Sequence, residues 1–259
     1  TADQLDGVLR IADASYDNND GGCEADLVEI TVESSEDTRV VTLSSDFADA
    51  IFESRTAYKN VLYYLKDLAV QYAPLLYDEV ARQNIDTHIA EIGDEVAILS
   101  FVTKDIDPLL DCITDGLEMA EGSKVEMLVS PMDNRFLMRA SSQYLAHKNY
   151  LATNIDVKMG NAGDSLAVAL NAEDLYAGMA HFSGVGLSGG AKDNTLNINA
   201  IFADSVRDVS GEISAMAHIS RKDAMRHFAV SFNPTYIRSG ENSWRITTDG
   251  IDIDSTRIN

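Results

Sequence analysis

From Leu196 to Ile258 apolar and polar residues alternate through one short run after another, and this limits the possible folds more than any other feature of the chain. The runs cover 196–202, 212–219, 227–232, 243–247 and 250–254. Side chains of a β-strand point alternately to its two faces. Leu196, Ile198, Phe228, Val230, Phe232, Trp244, Ile246, Ile251 and Ile253 are therefore expected to make apolar faces. Asn197, Asn199, Ser231, Asn233, Asp252 and Asp254 then point the other way. The pattern predicts a hairpin meander with one apolar and one hydrated face.

The chain before this stretch adds strands and a change of period. Runs at 7–14 and 26–32 alternate around the polar loop Tyr16 to Gly22, and 39–44 and 47–52 complete an N-terminal set. Val61, Leu62, Leu65, Leu68, Ala69 and Tyr72 then recur at helical spacing, with Pro74 marking a break. A further helical turn is expected at 77–82, and a hairpin of 87–92 with 96–102 across Gly93-Asp94. Pro108 near the start of 105–113 suits a short helix. The apolar sides of these helices must cover something, most simply one open side of the sheet. Strands resume at 124–129 and 136–140 around the turn Pro131 to Asn134, and at 155–159 and 166–170 around 160–164. A strand at 175–182 then leads into a glycine-rich turn.

The fold class expected is mainly β: a curved antiparallel meander sheet, groove- or taco-like, with a few helices in the N-terminal half near 57–73 and 105–113. Residues 1–115 would carry strands and the helical insert, and 116–259 the meander, continuous with the first part across a soft boundary near Asp115-Gly116. The chain opens at Thr1 without Met and stops within an alternating pattern at Arg257-Ile258-Asn259, as expected of a segment of a longer protein.

Charge narrows the partners. Twenty basic against 42 acidic residues give a formal net charge of −22, which argues against nucleic acid, because neutralising phosphates takes clustered Lys and Arg. Docking on anionic membrane surfaces is disfavoured for the same reason. Cys23 and Cys112, far apart, make no disulfide framework and no metal-type spacing. No apolar run is long enough to span a bilayer as a helix.

Short motifs do not build a catalytic site. Gly184-Val185-Gly186-Leu187-Ser188-Gly189 matches the dinucleotide fingerprint, and Gly186-Leu187-Ser188-Gly189-Gly190 matches the nucleophile elbow of serine hydrolases. Both need a helix directly afterwards to supply N–H groups, whereas Asp193-Asn194 and an alternating strand follow here. In the Tyr16 to Gly22 loop, alignment on Gly21 puts Tyr16 and Leu27 where an EF-hand needs acidic ligands. His218 and His227 would lie on neighbouring strands, as a cross-strand pairing or a pH-sensitive pair. No catalytic residue, metal ligand or cofactor is expected.

Several segments resemble the TamB-like proteins, especially the large versions from Bacteroidetes, within the wider AsmA-like group of translocation-and-assembly-module proteins. They are Ser45-Asp46-Phe47 with Tyr72-Ala73-Pro74 downstream, Asn194-Thr195-Leu196-Asn197 before a strand, and Asn242-Ser243-Trp244-Arg245-Ile246 leading to Gly250-Ile251-Asp252-Ile253. The resemblance implies a periplasmic protein of the cell envelope that serves outer-membrane biogenesis, anchored in the inner membrane by a helix absent from this chain. Its β-sheet would form an apolar groove for phospholipid acyl chains or outer-membrane proteins, together with an outer-membrane assembly partner, and without enzymatic activity. The helices near 57–73 and 105–113 depart from an uninterrupted β groove. The alternating pattern alone equally suits a closed β core, as in a ligand-binding or adhesion module of a cell-surface protein that recognises its ligand through loops such as Tyr16 to Gly22.

Overall fold

The computed structural model describes residues 6–17, 22–35, 38–55, 58–72, 75, 96–112, 114–162, 165–204, 207–222, 225–233, 235–246 and 251–254. The expected turn at 77–82, the strand at 87–92, the turn at Gly93-Asp94 and the centre of the Tyr16 to Gly22 loop lie outside these residues. The protein is mainly β, a curved antiparallel meander in one sheet, with 17 strands among the described residues. In chain order the strands are β1 (Gly7–Asp17), β2 (Gly22–Ser34), β3 (Arg39–Ser45), β4 (Ala48–Ser54), β5 (Ala97–Thr103), β6 (Leu117–Met119), β7 (Lys124–Ser130) and β8 (Arg135–His147). They continue as β9 (Tyr150–Ala162), β10 (Ser165–Ala177), β11 (Ala180–Lys192), β12 (Thr195–Asp204), β13 (Val209–Lys222), β14 (Met225–Phe232), β15 (Thr235–Ser239), β16 (Asn242–Ile246) and β17 (Ile251–Asp254). Two helices are described, α1 (Tyr58–Tyr72) and α2 (Asp107–Asp111).

Almost every strand pairs with the next, because tight turns leave no room for a crossover. Two-residue turns join β8 to β9, β10 to β11 and β11 to β12. They use left-handed residues: Lys148, Gly178, and Asp193 with Asn194. Two successive left-handed residues make the turn whose twist matches paired strands, and Asp and Asn tolerate that conformation. β5 pairs with β7, so the sheet runs without interruption past Asp115-Gly116. At the far side β13 carries two neighbours, β15 along Val209 to Glu212 and β14 along Ala215 to Lys222; β16 and β17 extend these.

Three expectations are corrected. The run at 175–182 is two strands, broken by the turn at Gly178-Met179, where Ala177 faces Ala180. The glycine-rich stretch is no turn: Gly184 to Gly190 lies inside β11. The strand β15, which was not expected, lies between the runs ending at Phe232 and beginning at Ser243.

Register places one set of side chains on a single face from end to end. One row perpendicular to the strands passes through Ala97, Val129, Phe136 and, beyond Asn161, Leu166, Ala191, Leu196, Ala217 and Val230. The next passes through Phe52, Leu99, Met127, Met138, Met159, Val168, Gly189, Ile198, Ala215 and Phe232. A third runs from Leu9 and Ile30 through Leu43, Ala50, Phe101, Val125, Ala140, Val157, Leu170, Leu187 and Ala200 to Ile213. Interleaved positions on the opposite face include Glu29, Asp49, Glu126, Arg139, Asp156, Asn171, Ser188, Asn199 and Ser231.

α1 covers part of the apolar face. Its Val61, Tyr64, Leu68 and Tyr72 follow helical spacing and bury against Ala97, Val129 and Phe136, with Met127, Met138, Met159, Leu166 and Ala191 packed alongside. Burial of each such large side chain stabilises the fold by about 1.5–3 kcal/mol, and the unbranched methionines adapt to the helix surface. Polar latches hold both parts of the helix. The Tyr64 hydroxyl donates to Asn134 Oδ1 (3.2 Å) in the β7–β8 turn. In the β11–β12 turn Asn194 donates its N–H to the Tyr72 carbonyl (3.3 Å) and accepts at Oδ1 from the Leu75 N–H (2.8 Å). α1 thus lies along one end of the sheet, over the first two rows.

Two measurements test this packing. Burial, with the Tyr72 phenol adding to it, pushes Tyr64 above the usual tyrosine range. Below pH ~10 both states keep the proton; above that the unfolded chain ionises first, so stability is expected to fall as pH rises. Tyr64→Phe should lower stability by about 1 kcal/mol at neutral pH and reduce that alkaline slope, read by urea unfolding between pH 8 and 11. A Cβ at Gly189 would stand 2.7 Å from the Asn197 carbonyl oxygen, whereas one at Gly7 meets nothing within 4 Å. Gly189→Ala should therefore cost about 1–3 kcal/mol, and Gly7→Ala should be close to neutral in the same assay.

Candidate functional site: an apolar trough across the strands

The three rows keep their residue character where the helix stops. Beyond β11 the apolar face carries Leu196, Ile198 and Ile213, which are 43%, 40% and 37% exposed, and Trp244 on β16 at 51%. Phe228, Val230 and Phe232 on β14 are half-buried. Register assigns all these residues to one face: Leu196 and Val230 flank Ala217, Ile198 and Phe232 flank Ala215, and Phe228 opposes Ile219. Trp244 joins them through Ile237, which pairs with it and with Gly211. Ile246, Ile251 and Ile253 hold register positions opposite Thr235, Val230 and Phe228, while their side chains lie outside the described set. The nine groove candidates thus occupy strand positions of one face.

The row pattern survives an interruption. Asn154 has a positive φ (47°) within β9, as does Gly184 (69°) within β11, where the register with β12 shifts between Ser183 and Gly186. The Asn154 amide donates to the Glu173 carboxylate on β10, the strand between them. A left-handed residue in a strand interrupts the alternation of side chains. Leu145 on β8 lines the same cavity as Ala140 and Ser142. Gly184 supplies this conformation without a Cβ penalty, which is one physical reason for glycine there. On the same face, the Phe202 ring lies over Gly211, where a Cβ would come within 2.4 Å, and meets Phe182 edge-on at 5.4 Å.

A cavity of about 230 Å³ opens on this face beside the area α1 covers. It sits over Phe101, Val125, Ala140 and Val157 of the third row, with Ile106, Met119, Leu145 and Ile155 toward the sheet end opposite α1. Three of its hydroxyls, those of Thr103, Ser123 and Ser142, are bonded within the protein. Thr103 donates to the Ala120 carbonyl (2.8 Å), and the Ser123 and Ser142 oxygens lie 2.7 Å apart.

The opposite face carries charged and hydrated positions, and it also exposes Ile51, Ile98, Leu137, Ile201 and Met216. Arg10 pairs with Glu29, and Lys158 with Asp156 (3.0 Å). Ser188 of the elbow-like motif is exposed there, mid-strand between Ala169 and Asn199, with no helix after it. His218 pairs in register with Ala229 and His227 with Ser220, so the two are offset rather than opposed; His218 Nδ1 lies 2.9 Å from Thr195 Oγ1. Near the β10–β11 turn, His181 stacks on Tyr176 (4.4 Å) and its Nε2 meets Asp174 Oδ1 at 2.7 Å. The last contact was not foreseen, since it depends on the turn at Gly178-Met179 folding 181 back beside 174. Among the described residues no group of three or more His, Cys, Asp or Glu is placed to hold a metal ion, and no helix is long and apolar enough to cross a membrane. A scan of protein-family models found no match to the chain, and comparisons with curated proteins and with solved structures found none significantly similar.

Proposed function

We propose that the apolar face is a groove for phospholipid acyl chains, in a non-enzymatic segment of a periplasmic protein that serves outer-membrane biogenesis. The observation that carries this reading is the continuity of the rows. Apart from Asn161 in the first row, the ladders that form a packed interior under α1 stay apolar as they continue onto a surface where Leu196, Ile198, Ile213 and Trp244 are exposed. Scattered apolar residues are ordinary on a protein surface, but a contiguous apolar band is the mark of a ligand or partner. The resemblance to TamB-like proteins supports a lipid as that ligand and the envelope as its place. An aliphatic chain laid across such rows makes dispersion and hydrophobic contacts that do not depend on its register, so it can slide. The charged side chains of the other face keep the assembly in water meanwhile.

Uptake from vesicles tests the proposal. The chain is incubated with phosphatidylethanolamine–phosphatidylglycerol vesicles, re-isolated, and its lipid counted by mass spectrometry. Trp244→Asp and Ile198→Asp should lower retained lipid several-fold while the protein stays folded, because both side chains already meet water. Val129→Asp, which buries an unpaired charge beneath α1, should unfold it. If the wild-type protein retains no lipid, or the exposed-site variants unfold as Val129→Asp does, the face is a closed core and the groove reading is wrong.

A further inference from the structure

The cavity beside α1 lies in line with the exposed part of the groove. Val157 lines it, and the third row leads from Val157 through Leu170, Leu187 and Ala200 to Ile213. Neighbouring strands stand about 4.8 Å apart, so the four steps from β9 to β13 span roughly 19 Å. One acyl chain spans about half of a ~30 Å bilayer core, so a single chain fits this path. Toward the sheet end opposite α1 the cavity is walled by Ile106, 8% exposed, and Met119 on β6. The hydroxyls of Thr103, Ser123 and Ser142 bond to protein partners. Lys124 and Ser141 border it from positions one residue off the apolar row. A dry apolar cavity of roughly 150 Å³ already takes up benzene, so 230 Å³ accommodates the last several carbons of an alkyl chain.

We propose that this cavity is an end-stop that receives the methyl terminus of an acyl chain, with the rest of the chain lying across β9 to β13 and the headgroup end toward Ile213. The proposal rests on the groove reading and adds a direction and a length limit to it. A chain enters tail first, and Ile106 and Met119 stop it. Chains too long for the path leave apolar carbons in water at the Ile213 end and are held less well.

Paramagnetic labelling distinguishes this from groove binding in general. The full chain is loaded with phosphatidylglycerol carrying a nitroxide either at the end of one acyl chain or next to the glycerol, and methyl NMR signals are followed. The tail label should broaden Val157, Ile155 and Met119, and the glycerol-proximal label should broaden Ile213 instead. Ala140→Phe, which fills the cavity from β8, should shift retained lipid toward shorter chains, with about ten-fold less of the long species. Lipid retained with both labels broadening the two ends equally would overturn the end-stop and leave the groove standing. No retained lipid at all would remove both. A reversed label pattern would overturn the stated direction and so the proposal.

Discussion

Everything in this fold depends on the ladder of backbone hydrogen bonds that ties neighbouring strands together. A ladder satisfies the main chain only if the strands stay in register, and register then fixes which face each side chain occupies. Slipping one strand by a single residue would carry Ile198 or Met138 to the hydrated face and bring Asn199 or Arg139 to the apolar one. The alternation of residue types and the ladder therefore enforce each other over the whole sheet. α1 turns part of this surface into an interior by laying Val61, Tyr64, Leu68 and Tyr72 on two of the rows.

Much of the architecture was legible from the alternation alone, since hydrophobic period reports a strand with one buried face directly. The strands containing Leu196, Phe228 and Trp244, and the helix ending at Tyr72, fall where the pattern placed them. The middle of the sheet was harder to read. β8 to β11 are 13 residues each, yet only their ends nearer α1 alternate plainly. Past Asn154 and Gly184 the pattern changes phase, because a left-handed residue moves the following side chains to the other face. Short windows on either side then read as separate strands or as loop.

Glycine caused the clearest misreading. Gly184, Gly186, Gly189 and Gly190 suggest a turn by composition, but they sit within β11, where Gly189 lies close against the Asn197 carbonyl. A single sequence cannot distinguish a glycine needed for a turn from one needed for close approach between strands. The groove candidates show a similar limit. Alternation identified which residues share a face, but the difference between Val129, fully buried, and Trp244, half exposed, depends on where one helix ends.

The two latches on α1, at Asn134 and Asn194, carry a consequence for how the sheet comes apart. They span the turns of β7–β8 and β11–β12, so the strands between are held both by their neighbours and by the helix. Among the described residues, none of β1 or of β14 to β17 belongs to the cluster packed under α1. In a structure whose contacts are mainly between neighbours, stability is distributed locally, as in stacked repeats. The sheet therefore behaves as a ribbon clamped near its middle, with both margins free to open and close ahead of global unfolding. The margin carrying Phe232 and Trp244 can change its curvature without disturbing the helix-covered core.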